Sequence, residues 1–176
     1  MKIVVAGIGR VGYYLCQLLI EGGHEVVVIE RDQSICTRLS TELGVTVVQG
    51  DSTEAKILEL AGTEQAGAFV ALTPSDENNL ISCLLAKELG AKVVAARVGR
   101  VEFDEVEAKK LGIDLVLHPE AASAGYVLEL LKKPETLGSY LNLGKKFEIA
   151  EVVVDENSRA FGKRFSDLEY PYGSAI

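Results

Sequence analysis

Three glycines, a carboxylate and a guanidinium are the residues whose types and spacing could do chemistry. Gly7, Gly9 and Gly12 make a G-x-G-x-x-G pattern directly after a short apolar run at residues 3–6. Each glycine has a steric reason if a strand here turns into a helix. Gly7 permits the tight turn, Gly9 lets a pyrophosphate approach the backbone, and Gly12 allows helix and strand to pack closely. Ile8, Arg10 and Val11 fill the variable positions, and the helix N-terminus would offer unpaired N–H groups and partial positive charge to an anion. Glu30 stands 18 residues past Gly12, near the offset of about 20 at which an acid hydrogen-bonds an adenosine ribose. Arg31 gives an opening for a ribose 2′-phosphate, but the adjacent carboxylate would repel that group, so adenosine nucleotides without it are preferred. The competing reading makes 30–32 a solvated turn capping the next helix.

These residues need elements to hold them. Val11, Tyr14, Leu15, Leu18 and Leu19 recur at helical period after the glycine turn, and Gly22-Gly23 stops that helix. Strands are expected at 25–29, 45–49, 68–72, 92–98 and 114–117, with helices at 32–43, 53–61, 75–89, 101–111 and 121–132. Ser75 is the expected N-cap of the helix through Leu89, with Asp76 and Glu77 in its first turn. Its apolar positions Ile81, Leu84, Leu85 and Leu89 fit the helical period. Six strands alternating with helices predict a Rossmann-type, doubly wound parallel sheet in the order 3-2-1-4-5-6. Ligand would lie outside the carboxyl ends of strands 1 to 4. There Asp51 and Ser52 fall where an adenine should rest, and Thr73 faces the phosphates across the switch point. Asp51 could equally cap the following helix. The small residues of 121–132 make it a packing helix, on its own sheet or between subunits.

Composition narrows the class. The chain has 176 residues, 48% hydrophobic and 25% charged, which is a soluble globular composition with room for one domain and a remainder. A net charge of −8 without a basic cluster longer than a pair argues against a nucleic-acid or anionic-membrane surface. No apolar run reaches the length that crosses a bilayer, and Arg10 interrupts any signal-peptide core. Cys16, Cys36 and Cys83 show no C-x-x-C spacing, and Cys16 and Cys83 are expected in the core. With His24 and His118 alone a histidine zinc site lacks ligands. A cytoplasmic, reduced protein is expected. After Pro134 the character changes: 135–146 reads as a hinge, 147–154 as a strand and 161–168 as a short helix, too little for an independent core.

A dehydrogenase would need a proton donor or substrate clamp beside its cofactor, and no Tyr-x-x-x-Lys pair or suitable histidine is present. Arg10 instead could reach a terminal phosphate, as a sensor of nucleotide state would require; the plainer reading is a solvated helix-start residue. The expectation is a protein that is not an enzyme, with an NAD-dependent oxidoreductase and a structural assembly module as the alternatives.

Several further motifs complete the picture: Gly50-Asp51-Ser52-Thr53, Ala71-Leu72-Thr73 with Asp76-Glu77-Asn78-Asn79, Ala96-Arg97-Val98, and Gly112-Ile113-Asp114 with Pro119-Glu120. Together with the glycine turn they make residues 1–134 resemble the TrkA/KtrA, or RCK (regulator of potassium conductance), family. Residues 147–176 resemble the opening of that family's TrkA-C domain, whose further strands are missing. The resemblance implies a regulatory subunit that binds NAD, ATP, ADP or AMP and adds Arg97 to the site residues. It also implies dimers, of one or two kinds of chain, that assemble into an octameric ring. The ring would gate a membrane potassium channel or transporter from the inner face of the cell membrane, without inserting into it. Glu120 could then hold a cation between subunits, or act only as a first-turn helix acid.

Overall fold

A computed structural model of the chain describes residues 1–100, 103, 105–132, 140–142, 148–150, 156, 158 and 161–164. It divides into two compact units, Met1–Ala122 and Ser123–Ile176.

In the first unit the apolar runs become strands. They are β1 (Lys2–Ala6), β2 (Glu25–Glu30), β3 (Thr46–Gln49), β4 (Ala68–Ala71), β5 (Val93–Arg97) and β6 (Leu115–Leu117). All pair in parallel in the order β3-β2-β1-β4-β5-β6, as the alternation of strands and helices predicts. Val4, Val5 and Val28 at the centre are fully buried, because helices cover both faces of a parallel sheet. The helices are α1 (Arg10–Glu21), α2 (Gln33–Glu42), α3 (Ala55–Leu60), α4 (Asp76–Leu89), α5 (Glu105–Lys110) and α6 (Pro119–Lys132). Side chains of α1 and α2 form one apolar layer with Val5 and Val28, and those of α3, α4 and α5 form the other around Phe69 and Val94. Cys16 and Cys83 lie in these layers as expected, and burial raises their thiols to about 11 and about 12.

Several local expectations change. The stretch 53–61 holds only Ala55–Leu60 as helix, followed by a 3-10 turn at Thr63–Gln65. α5 ends at Lys110, one residue before the expected 111, while residues 101, 102 and 104 of that stretch lie outside the described residues; α6 begins at Pro119 rather than 121, since proline fits the first helical position. The apolar stripe of α1 is only half used: Leu15 and Leu19 pack inward, whereas Val11, Tyr14 and Leu18 are exposed.

The largest difference is in α4. Its buried face is Asn79, Ser82, Cys83 and Ala86, while Ile81 and Leu84 are 46% and 37% exposed. Leu85 and Leu89 of the expected stripe do pack against the core, so the helical period predicts part of the buried face and the small residues supply the rest. Small side chains let α4 sit close to the sheet, and the two buried polar ones find hydrogen-bond partners there.

In the second unit, α6 continues from Ser123 and a two-stranded antiparallel pair forms between β7 (Tyr140–Asn142) and β8 (Glu148–Ala150). β8 falls within the expected strand 147–154, and β7 falls inside the stretch read as a hinge. The remainder of 135–146, residue 147 and the strand beyond 150 lie outside the described residues; of the short helix expected at 161–168, residues 161–164 form a turn rather than a helix and the rest lies outside the described residues.

Candidate functional site

A cavity of about 490 Å3 opens at the carboxyl ends of the inner strands. Its floor is the turn from β1 into α1. Gly7 has φ +85, and a Cβ there would stand 2.7 Å from the Thr73 backbone nitrogen. Any other residue would therefore push β4 away, besides being strained at positive φ. A Cβ on Gly12 would lie 2.5 Å from the Gly7 carbonyl, whereas one on Gly9 would meet nothing within 4 Å. Two glycines thus pack the turn and the third faces open space, the arrangement expected from their spacing. α1 starts without a side-chain cap at Gly9 and without an acid in its first turn. Its N–H groups and dipole are left for an anion.

β2 delivers Glu30 to the same cavity. Glu30 Oε1 accepts from the Arg31 and Asp32 N–H groups at 2.7 and 3.1 Å, and Oε2 accepts from the Ile8 N–H at 3.4 Å. The acid therefore touches the glycine turn directly, and Oε2 has only one long bond, leaving capacity for sugar hydroxyls. Capping of α2 falls to Asp32, which accepts from Ser34 and Ile35 N–H at 2.8 and 3.2 Å. Arg31 lines the cavity, but its guanidinium pairs with Asp51 at 3.2 Å, which further reduces its use for a 2′-phosphate.

Beyond β3, Gly50 and Ser52 line the cavity and Ile35 of α2 adds an apolar wall. Asp51 neither lines it nor caps α3. Its carboxylate accepts from the Thr53 N–H at 2.9 Å and the Thr53 hydroxyl at 2.8 Å, a side-chain turn that precedes the helix by two residues. The Thr53 N–H, with the Thr53 hydroxyl and Arg31 adding to it, holds this carboxyl below its usual range against the effect of burial.

From β4, Thr73, Pro74 and Ser75 close the opposite side, with Asn78 of α4. Ser75 caps α4 as expected, accepting from the Asn78 N–H at 3.2 Å. Thr73 is fixed by Asn79, a residue that the sequence did not single out for the site. Fully buried, Asn79 accepts from the Thr73 N–H and hydroxyl at 2.9 and 2.6 Å and donates to the carbonyls of Thr73 and Arg97, both at 2.9 Å. The signal for it was present: two successive asparagines early in a helix are unfavourable there unless their amides are needed elsewhere.

Gly7, Ile8, Gly9, Glu30, Arg31, Ser52 and Thr73 are thus gathered around one cavity, while Gly12 and Val11 stand behind the turn. Arg97 also stands behind the wall, its guanidinium donating to the Thr73 carbonyl at 3.4 Å and to Glu120 Oε1 at 2.6 Å. That bond from Arg97 is the chief reason the Glu120 carboxyl is held low. Arg10 is exposed and lines an adjoining hollow of about 590 Å3 with Tyr13, Tyr14, Arg38 and Glu42; this hollow shares Ile8 and Gly9 with the first cavity. Among the described residues no group of three or more His, Cys, Asp or Glu could hold a metal ion, and no helix is long and apolar enough to cross a membrane.

Comparison with known proteins places this geometry in context. The family model described as TrkA-N domain matches residues 3–119. A Trk system potassium uptake protein TrkA homolog from Methanothermobacter thermautotrophicus is 38% identical over 168 residues, covering 96% of this chain and 77% of the relative. Among solved structures, the TrkA-N domain of the inner membrane protein ybaL from Escherichia coli superposes with TM-score 0.67 at 26% identity, over 74% of this chain and 96% of that one. The GsuK channel superposes in a form bound to NAD with TM-score 0.63 at 25% identity, over 79% and 24% of the two chains. In a form bound to ADP the values are 0.64, 25%, 77% and 35%.

Proposed function

This chain belongs to the TrkA-N domain family, and from that premise we propose that it is a regulatory subunit of a potassium uptake system or channel that senses an adenine nucleotide. One observation carries the reading: the uncapped N-terminus of α1 and the Glu30 carboxylate face one cavity and touch through the Ile8 N–H. Phosphates would lie on the N–H groups of the glycine turn, and the ribose hydroxyls would donate to Glu30 Oε2. GsuK, named as bound to NAD and to ADP, supports an adenosine ligand. Among the described residues the cavity is lined by binding and orienting groups, with no histidine, lysine, tyrosine or cysteine among them, which favours a regulator over an oxidoreductase.

A ligand gates a partner only as far as it prefers one arrangement of an assembly over another. Arg10, exposed and unpaired among the described residues, is the group suited to distinguish nucleotides by their terminal phosphate. The assembly itself would be a ring of dimers on the cytoplasmic side of a membrane potassium channel or transporter. A cation on Glu120 fits poorly within one chain, because the Arg97 guanidinium already neutralises that carboxylate at 2.6 Å. A second copy would have to supply another carboxylate and Arg97 would have to leave.

Calorimetry with ATP, ADP, AMP and NAD is the test. At least one nucleotide is expected to bind, Glu30→Ala should weaken every one that binds by about tenfold or more, and Arg10→Ala should weaken ATP more than AMP. Absence of binding by all four sinks the sensor reading, unchanged affinity in Glu30→Ala removes that residue from the site, and an equal loss in Arg10→Ala removes the phosphate-counting role.

A further inference from the structure

One face of α1 has no part in the nucleotide cavity. Val11, Tyr14 and Leu18 stand on it at i, i+3 and i+7 and are 46%, 68% and 66% exposed, so three large apolar side chains share one stripe of a 12-residue helix. Single exposed apolar residues are ordinary, but a row of them marks a contact surface. Arg10 and Glu21, at the two ends of α1, lie along one flank of this stripe with Gln17 between them. Both are exposed, and neither has an ion pair or hydrogen bond among the described residues. Glu42, the carboxylate that lines the hollow beside Arg10, already accepts from the Tyr13 hydroxyl at 3.3 Å and lies 3.9 Å from Arg38 Nε.

This pattern is complementary to itself. In a two-fold contact a patch meets its own copy, so residue i facing j implies j facing i. Two α1 helices laid antiparallel and centred between Leu15 and Cys16 set Arg10 of each opposite Glu21 of the partner subunit. A two-fold axis perpendicular to both helices keeps like flanks on the same side, so these charges meet along one edge. With a rise of about 1.5 Å per residue, Val11 and Tyr14 both then reach the partner's Leu18. Two ion pairs thus border one apolar seam. A parallel pairing would instead set Arg10 against the partner's Arg10 and Glu21 against the partner's Glu21, which like charges oppose. We infer that this face of α1 docks antiparallel on the same face of a second copy of this chain, held by Val11, Tyr14 and Leu18 and aligned by Arg10 with the partner's Glu21. The inference rests on the reading of the chain as one that assembles, and names one contact of that assembly. It does not depend on the nucleotide reading, since a terminal phosphate would compete for the same guanidinium rather than create the contact.

The test is sedimentation equilibrium on the full chain. The unaltered chain should self-associate, and Arg10→Glu or Glu21→Arg alone should weaken that association by about tenfold, because two attractions become two repulsions. The double variant Arg10→Glu, Glu21→Arg reverses both members of each pair and should restore the association to within about twofold of the unaltered chain. A loss caused by misfolding would not be rescued in this way. The reversals should also fold, since an acid in the first turn and a base in the last turn of α1 suit the helix dipole, and a thermal melt checks it. Leu18→Asp, which puts a charge from each copy into the apolar seam, should abolish the contact. Single reversals that leave association unchanged, or a double variant no better than the singles, overturn the α1 contact and leave assembly to another face. A chain that stays monomeric at every concentration overturns the assembly reading and this contact with it. Should Arg10→Glu not fold, Glu21→Arg and Leu18→Asp decide, because both lie away from the glycine turn.

Discussion

Asn79 joins two strand ends with one side chain. Its oxygen meets two donors of Thr73 and its nitrogen meets two carbonyls, of Thr73 and Arg97, so a single orientation of the amide satisfies all four groups. Replacement by alanine leaves buried polar groups of the cavity wall unpaired, at about 1–3 kcal/mol for such a group. Asn79→Ala should lose about 2–4 kcal/mol in urea unfolding and weaken nucleotide binding through a loosened Thr73. Asn79→Asp keeps the shape but turns an anionic oxygen toward two carbonyls, so at neutral pH it should be at least as damaging. Stability of Asn79→Asp equal to that of the unaltered chain would show that the clamp does not matter. The sequence marked Glu30 by its spacing from the glycines and Thr73 by its place after the fourth strand, across the switch point. It named Asn79 only within a motif, with no role, and left Ser82 unmarked, because their partners are 6 and 30 residues away and only folding brings them together.

At the level of elements, periodicity predicted which segments are helices better than which faces they bury. α1 and α4 both carry more apolar side chains than the sheet can cover, so leucines and isoleucines remain outside while Gly12, Cys16, Asn79, Ser82 and Cys83 are buried. Close approach decides this, since small residues let a helix axis come nearer to the sheet. The glycine turn follows the same logic from the other side. Gly7→Ala places a methyl 2.7–2.9 Å from three backbone atoms of Leu72 and Thr73 at φ +85, contacts that no rotamer can relieve. It should destabilise by about 2–4 kcal/mol, combining overpacking with strained backbone, and abolish nucleotide binding. Gly9→Ala meets nothing within 4 Å, so its melting temperature should stay within about two degrees while its nucleotide affinity falls. Equal thermal losses in the two variants would contradict this division between packing and access.

For the whole molecule, the buried thiols set an alkaline limit. Burial raises Cys16 to about 11 and Cys83 to about 12 from a usual value of 9.0. In the unfolded chain both ionise from about pH 9, while in the folded chain they stay neutral. Their contribution to stability is therefore fully present below pH 9 and is lost as pH rises toward 11–12, by about 1.4 kcal/mol per thiol for each pH unit. Urea unfolding between pH 8 and 10.5 should show this loss, and the Cys16→Ala, Cys83→Ala double variant should show much less of it; identical slopes would refute the assignment. The sequence by itself determined the parallel sheet, its order and the family to which the chain belongs. Those follow from local patterns: apolar runs of strand length, helical spacings between them, and a glycine turn whose steric demands admit few alternatives. Only the tertiary structure decided which helix faces are buried, that Arg97 is engaged with Glu120, and that Ser82 and Asn79 support the cavity. Each of these depends on the distance between elements remote in the chain, and that distance is set by packing the whole sheet between its two layers of helices.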